Sequence, residues 1–190
     1  MISRNLTCLE VGLVFVFNRY IGRFALNQWH VATAAEAIAA AQFARCGWDV
    51  SVQYGANQPE YDLVVVKKTL MLKVSVKGSQ DGGWGLTQSY MKDRNYHRAA
   101  DLWLAKHASD TVMCFVQFKG VAIGQLPSVY LARPIEVAER LKAAAGGRGD
   151  TILNENHTWT SRAQAAGTVD RIPEYWQFSN ERAESLANGV

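Results

Sequence analysis

The chain has 190 residues, 48% hydrophobic and 19% charged, with a formal net charge of +3. That length suits a single domain with one core, and the apolar content excludes global disorder. No apolar run reaches a membrane span, and the run Val11 to Phe17, preceded by Glu10 and followed by Asn18, Arg19 and Arg23, makes a poor signal peptide, so a cytoplasmic protein is expected.

Residues 1–31 read as an N-terminal extension or, over LEVGLVFVFNRY, a strand. Ala32 to Cys46 is alanine-rich without Pro or Gly and reads as a helix, with Thr33 as N-cap, Glu36 completing a capping box and Gly47 as the stop. A strand follows at Trp48 to Gln53, then the turn-rich loop YGANQPE. Two strands, Tyr61–Val66 and Leu70–Lys77, form a hairpin, and Gly78 to Gly85 is a loop. Met91 to His107 is helical for much of its length. Thr111 to Phe118 is a strand, Lys119-Gly120 a tight turn, Val121 to Leu126 a further strand, and Arg133 to Ala145 a helix with Pro134 in its first turn. The order predicts an α/β domain, a mixed sheet flanked by helices. The core spans 32–146, and a C-terminal extension over 147–190 packs on it through Trp159, Tyr175, Trp176 and Phe178.

The hairpin YDLVVVKKTLMLKVSVK carries the chemistry. With Lys68-Thr69 as its turn, Val66 faces Met71, Val64 faces Lys73 and Asp62 faces Ser75. Tyr61, Leu63, Val65, Leu70, Leu72, Val74 and Val76 then share a wholly apolar core face. The other face holds an acid (Asp62), a hydroxyl (Ser75) and a lysine (Lys77) at one end. Such a set can gather a hydrated divalent cation and a phosphate, whereas the plainer reading is a surface hairpin with ordinary charges. Up to Lys119 there are 13 Lys/Arg against 9 Asp/Glu, and beyond it 7 against 8, so the positive excess lies with this segment and fits an anionic partner.

Glu36 in AAEAIAAAQFARCGWDV, then NQPEYDLVV, then LKVSVKGS, taken in order, resembles the PD-(D/E)xK nuclease superfamily, in its Holliday-junction-resolvase-like and restriction-endonuclease-like branch. The resemblance covers roughly residues 32 to 126 and implies a restriction-endonuclease-like fold. It also implies a metal-dependent endonuclease that uses Mg²⁺ or Mn²⁺ on DNA, including branched DNA, and a homodimer for symmetric substrates. By the same resemblance Glu36 and Asp62 hold the metal, Lys77 is the catalytic lysine and Pro59 is the motif's proline, set two residues further from Asp62. Ser75 stands where Glu or Gln is usual. Its carbonyl or a bridging water is one way to fill that place, and Glu60 or Asp81 another. The alternative is a catalytically inactive nuclease fold that binds DNA or serves assembly; a structural module whose site is coincidental is a third reading.

Around the hairpin, Lys73, Gln80, Trp84, Gln88, Lys92, Arg94 and Arg98 are candidate nucleic-acid contacts, with Thr87 beside them; Trp84 would stack on a base. A packed tryptophan in a loop and a solvated helix face are the plain alternatives. His30, His97, His107 and His157 lack zinc spacing, although His97 is placed to approach the site from the following helix. Cys8, Cys46 and Cys114 form no framework and read as free thiols. No Walker A, GxGxxG or GxSxG pattern occurs.

Overall fold

The structure, a computed structural model, describes residues 27–53, 60–160 and 165–189. The readings of residues 1–26, of Cys8 and of the loop through Pro59 lie outside that set.

Helix α1 (Gln28–Arg45) begins four residues earlier than the alanine run suggests, because Asn27 is its N-cap and accepts from the His30 N–H at 3.0 Å. Thr33 and Glu36 therefore lie inside the helix, and the expected capping box does not form. Gly47, at φ 77°, follows the C-terminus, as expected of a left-handed stop. Val31, Ala35, Ala39 and Phe43 form the buried stripe, one residue per turn.

Strands β1 (Asp49–Val52), β2 (Leu63–Lys67) and β3 (Leu70–Ser79) follow as an antiparallel meander. The hairpin register is the expected one: Val66 pairs with Met71 and Val64 with Lys73, and Lys68 takes φ 57° in the turn. Beyond it come the short β4 (Gly83–Gly85), helix α2 (Tyr96–Leu104), β5 (Thr111–Gln117), β6 (Ser128–Ala132) and helix α3 (Pro134–Ala143). Strands β7 (Ile152–Asn154), β8 (Asn156–Thr158), β9 (Val169–Arg171) and helix α4 (Asn180–Ala187) complete the chain.

The main sheet runs β1-β2-β3-β5-β6, with β5 parallel to β3 and the other pairs antiparallel. It is a mixed β-sheet flanked by α-helices. Strand β5 is buried along its whole length, as its unbroken apolar run TVMCFVQ requires of a central strand covered on both faces. One core joins Leu63, Val65, Val74, Val76, Val112 and Cys114 to α1 and α4; the other joins Met113 and Phe115 to α2 and α3. The C-terminal segment enters both, with Ala183 and Leu186 in the first core and Leu153 and Trp176 in the second. Tyr175, by contrast, is 62% exposed. Among the described residues no helix is long and apolar enough to cross a membrane.

Three further expectations differ. The helix read over Met91 to His107 is shortened to α2: Arg94 takes φ 57°, and the helix starts only after the Asn95 side chain caps the Arg98 N–H. Residues 121–126 are turns, not strand, and leave Ile123 and Leu126 exposed; the antiparallel partner of β5 comes later, at β6. The segment 78–85, read as loop, instead extends β3 to Ser79 and forms β4, which pairs with β7.

Two contacts fix this arrangement. Gly78 lies directly under α1: a Cβ there would meet the Val31 carbonyl oxygen at 2.8 Å and the Ala35 Cβ at 2.9 Å. Asp170, almost fully buried, accepts from Arg140 Nη2, Trp159 Nε1 and the Ala145 N–H. Burial alone would raise its pKa, but the hydrogen bonds from Ala145, Trp159 and Arg140 and the Arg140 charge outweigh burial and hold it below the usual value.

Gly78→Ala is expected to destabilise the fold by about 1–3 kcal/mol through overpacking against backbone, read as a lower urea midpoint at unchanged m-value. Asp170→Ala is expected to cost about 3–5 kcal/mol at neutral pH, because the Arg140 charge and two N–H donors lose their partner. The Asp170 contribution is complete above the unfolded carboxyl value of 3.8 and fades as pH falls through the lower folded value, so the gap between wild type and Asp170→Ala should narrow in strong acid.

Candidate functional site

Strand β3 runs on past its antiparallel partner. Strand β2 begins at Leu63, opposite Val74, while β3 continues to Ser79 paired only with β5. Along the unpaired edge lies a cleft of about 670 Å³, lined by residues that include Glu36 from α1, Asp62, and Lys77 and Gly78 from β3. The helix acid, the hairpin acid and the hairpin lysine thus open onto one space.

Asp62 sits one residue ahead of the first ladder pair. Its backbone N–H donates to the Val74 carbonyl at 2.8 Å, and its carboxylate Oδ2 accepts from the Val76 N–H at 2.6 Å. The side chain thereby takes the place of the missing strand and satisfies the first orphan donor of β3. That bond fixes the carboxylate against the sheet end. Its charge reaches Cys114, whose thiol is pushed up mainly by burial and further by Asp62, so Cys114 is an inert core residue.

Glu36 follows the buried Ala35 on α1 and is half-buried at the cleft wall. Burial lifts its pKa first, the Asp62 charge lifts it further, and Lys77 pulls it partly back. Two carboxylates and one ammonium therefore interact across the cleft, with more negative than positive charge. Such a pair, with room for water and phosphate oxygens, fits a Mg²⁺ ion that binds through one or two protein carboxylates. Among the described residues no group of three or more His, Cys, Asp or Glu gathers to hold a metal, so closed cages of the zinc type are not formed.

Ser75 is not brought into this set. It is 1% exposed and absent from the cleft lining, and side-chain alternation turns it beside its register partner Met113, toward the second core. Its carbonyl is not available either. The Val74 carbonyl and the Val76 N–H point toward β2, so the backbone groups of the intervening Ser75 point toward β5 and its ladder. Of the two substitute acids, Glu60 accepts from Ala108 N–H and Thr111 Oγ1 and ties the loop before β5. Asp81 does line the cleft, but its Oδ1 accepts from Ser79 Oγ and the Gly83 N–H, which shapes the turn into β4.

The nucleic-acid candidates divide. Gln80 lines the cleft and Gln88 lies exposed beyond β4. Trp84 is 3% exposed; its ring packs on Phe115 and Tyr130 and its Nε1 donates to the Lys77 carbonyl at 2.8 Å. It is a core residue that holds the catalytic-lysine candidate in place, and the expected stacking on a base is ruled out by its packing. Lys73 pairs with Asp110 at 2.8 Å and lies over the Tyr61 ring, outside the cleft. Lys92 and Arg94 precede α2 in exposed turns, and Arg98 pairs with Asp93 at 3.0 Å; none of the three lines the cleft. His97 contacts the Gly147 carbonyl oxygen instead of the site. Thr87 is fully buried, its hydroxyl without a partner among the described residues. Gly78, which lets α1 reach the cleft, was hidden in the sequence by its reading as the start of a loop.

Comparisons of the chain with protein-family models, curated proteins and solved structures found no match.

The raised Glu36 pKa yields a direct test of this geometry. Asp62→Asn should bring the Glu36 carboxyl down toward the ordinary value and Lys77→Met should raise it further, read by NMR titration of labelled glutamate. A folded pKa above the unfolded value of 4.5 means that stability falls as pH rises through that window. Glu36→Gln should therefore have the higher denaturation midpoint at neutral pH, and the difference should vanish below the unfolded value.

Proposed function

We propose that the chain is a metal-dependent DNA endonuclease built on a restriction-endonuclease-like core. The observation that carries the reading is the convergence of Glu36, Asp62 and Lys77 on one cleft, from a helix, the start of β2 and the end of β3. That is the order helix acid, strand, hairpin acid, hairpin lysine which the nuclease resemblance implies.

Glu36 and Asp62 would hold Mg²⁺ or Mn²⁺, which when bound neutralises charge on a phosphate and acidifies a water. Asp62 is oriented for this by the Val76 N–H, and one carboxylate oxygen carries that bond. Glu36 carries a charge whose folded environment disfavours it, so a cation in the cleft would relieve the repulsion from Asp62. Lys77, steadied through its backbone by Trp84, presents an ammonium to a phosphate oxygen or to the attacking water. A two-fold homodimer would place two such clefts on a symmetric or branched duplex.

The second reading, DNA binding without cleavage, is favoured by Ser75, which is buried and offers neither acid nor amide where the family pattern has Glu or Gln.

Labelled four-way-junction, duplex and single-stranded DNA should be cut in the presence of Mg²⁺ or Mn²⁺. Asp62→Ala should abolish cleavage, and Lys77→Ala should lower the rate by about 10²-fold or more at retained DNA binding. Binding of all three substrates with no cut in either metal would decide for the silent reading.

A further inference from the structure

A second basin adjoins the cleft. It has a volume of about 310 Å³ and shares Asp81, Gly83 and Gly85 with the cleft, so β4 forms the low wall between them. Its far side presents Lys119, Gln88, Asn156 and His157. Among the described residues, the Lys119 ammonium makes no ion pair, and the Gln88 and Asn156 amides and the His157 ring make no hydrogen bond. Six other cations among the described residues, Lys67, Lys73, Arg98, Arg140, Lys142 and Arg182, pair with carboxylates.

The wall is backbone-rich for a reason. The Lys119 chain lies back across Gly82, which takes φ 102°; a Cβ there would come within 3.0 Å of Nζ. A Cβ on Gly85 would overlap the Gln88 amide at 2.3 Å, and one on Gly83 would meet Ile152 Cγ2 at 2.8 Å. Side chains at these positions would displace the groups that line the basin. At the divide, the Asp81 Oδ1 is occupied by Ser79 Oγ and the Gly83 N–H, which draws that carboxylate into the turn.

We propose that this basin is a second phosphate subsite: a DNA strand with one phosphate at Glu36, Asp62 and Lys77 crosses the Gly83–Gly85 strand and sets a neighbouring phosphate on Lys119, with the Gln88 and Asn156 amides and the His157 ring as further donors. A single ammonium beside neutral amides, with the one lining carboxylate, Asp81, bonded into the turn through Oδ1, suits a singly charged phosphodiester and carries no base preference. The inference rests on the nuclease reading for its substrate. It adds that the productive ligand is a strand spanning both basins, not a lone phosphodiester.

The test measures binding apart from cleavage. Fluorescence anisotropy of a labelled DNA dodecamer, in EDTA at several salt concentrations, compares wild type with Lys119→Ala, Lys119→Arg and the exposed control Lys106→Ala. Lys119→Ala should weaken binding several-fold and lower the salt slope by about 1, Lys119→Arg should retain both, and Lys106→Ala should change neither. An unchanged slope in Lys119→Ala, or an equal loss in Lys106→Ala, overturns the subsite. If Asp62→Ala still abolishes metal-dependent cleavage in that case, the cleft reading stands alone. Loss of slope in Lys119→Ala with no cleavage by wild type leaves the subsite standing and removes the nuclease. Absence of DNA binding by wild type removes both.

Discussion

The unequal lengths of β2 and β3 set the terms for everything at the cleft. A strand that continues beyond its partner exposes a row of backbone donors and acceptors, and such an edge must be satisfied, covered or used. Here the first orphan, the Val76 N–H, is taken by the Asp62 carboxylate, and the remainder of β3 borders open space. One side chain thus ends a ladder and begins a site. The opposite edge of β3 is sealed by parallel pairing with the fully buried β5, so the open edge is held rigid.

Helix α1 completes the site because nothing stands between it and the strand. The alanines of its buried stripe and the bare Cα of Gly78 bring the helix axis close to β3, and Glu36, one position round from that stripe, is carried to the cleft wall. The arrangement has an electrostatic penalty: burial and the neighbouring Asp62 both oppose ionisation of Glu36, and Lys77 offsets only part of that. Helix capping does not account for the residue, since the helix starts at Gln28 and Glu36 lies well inside it. A carboxylate placed where burial and a like charge both oppose its ionisation is a candidate functional group.

The hairpin was legible because a period of two over apolar residues specifies both register and buried face. Leu63, Val65, Leu72, Val74 and Val76 all lie in one core, and the Lys68-Thr69 turn fixes the pairing. Chain reversals guided by tertiary contacts were not legible. Alanine content marks a helix interior without marking its start, so the cap at Asn27 was missed and Thr33 took its place. The apolar run from Val121 has strand composition, yet β5 finds its antiparallel partner at β6, after a stretch of turns. Trp84 among glycines reads as an exposed platform, but β4 pairs with β7 some seventy residues later in the chain, and that contact folds the indole inward. Ser75 shares a strand face with Lys77 in any alternation argument; only the closing of α2 and α3 over that face separates the buried hydroxyl from the lysine at the open end.

The parallel pairing of β3 with β5 also has a bearing on biosynthesis. The groups from Glu36 to Lys77 occupy one contiguous stretch, and the hairpin within it closes through a two-residue turn, whereas Ser79 and its partner Gln117 are 38 residues apart. At a synthesis rate of about 5–20 residues per second, roughly 2–8 s separate completion of β3 from completion of β5. During that interval the nascent hairpin offers a long apolar edge to solvent or to any neighbouring chain. A helper that shields strand edges, or slow expression at low temperature, should therefore improve the yield of folded protein.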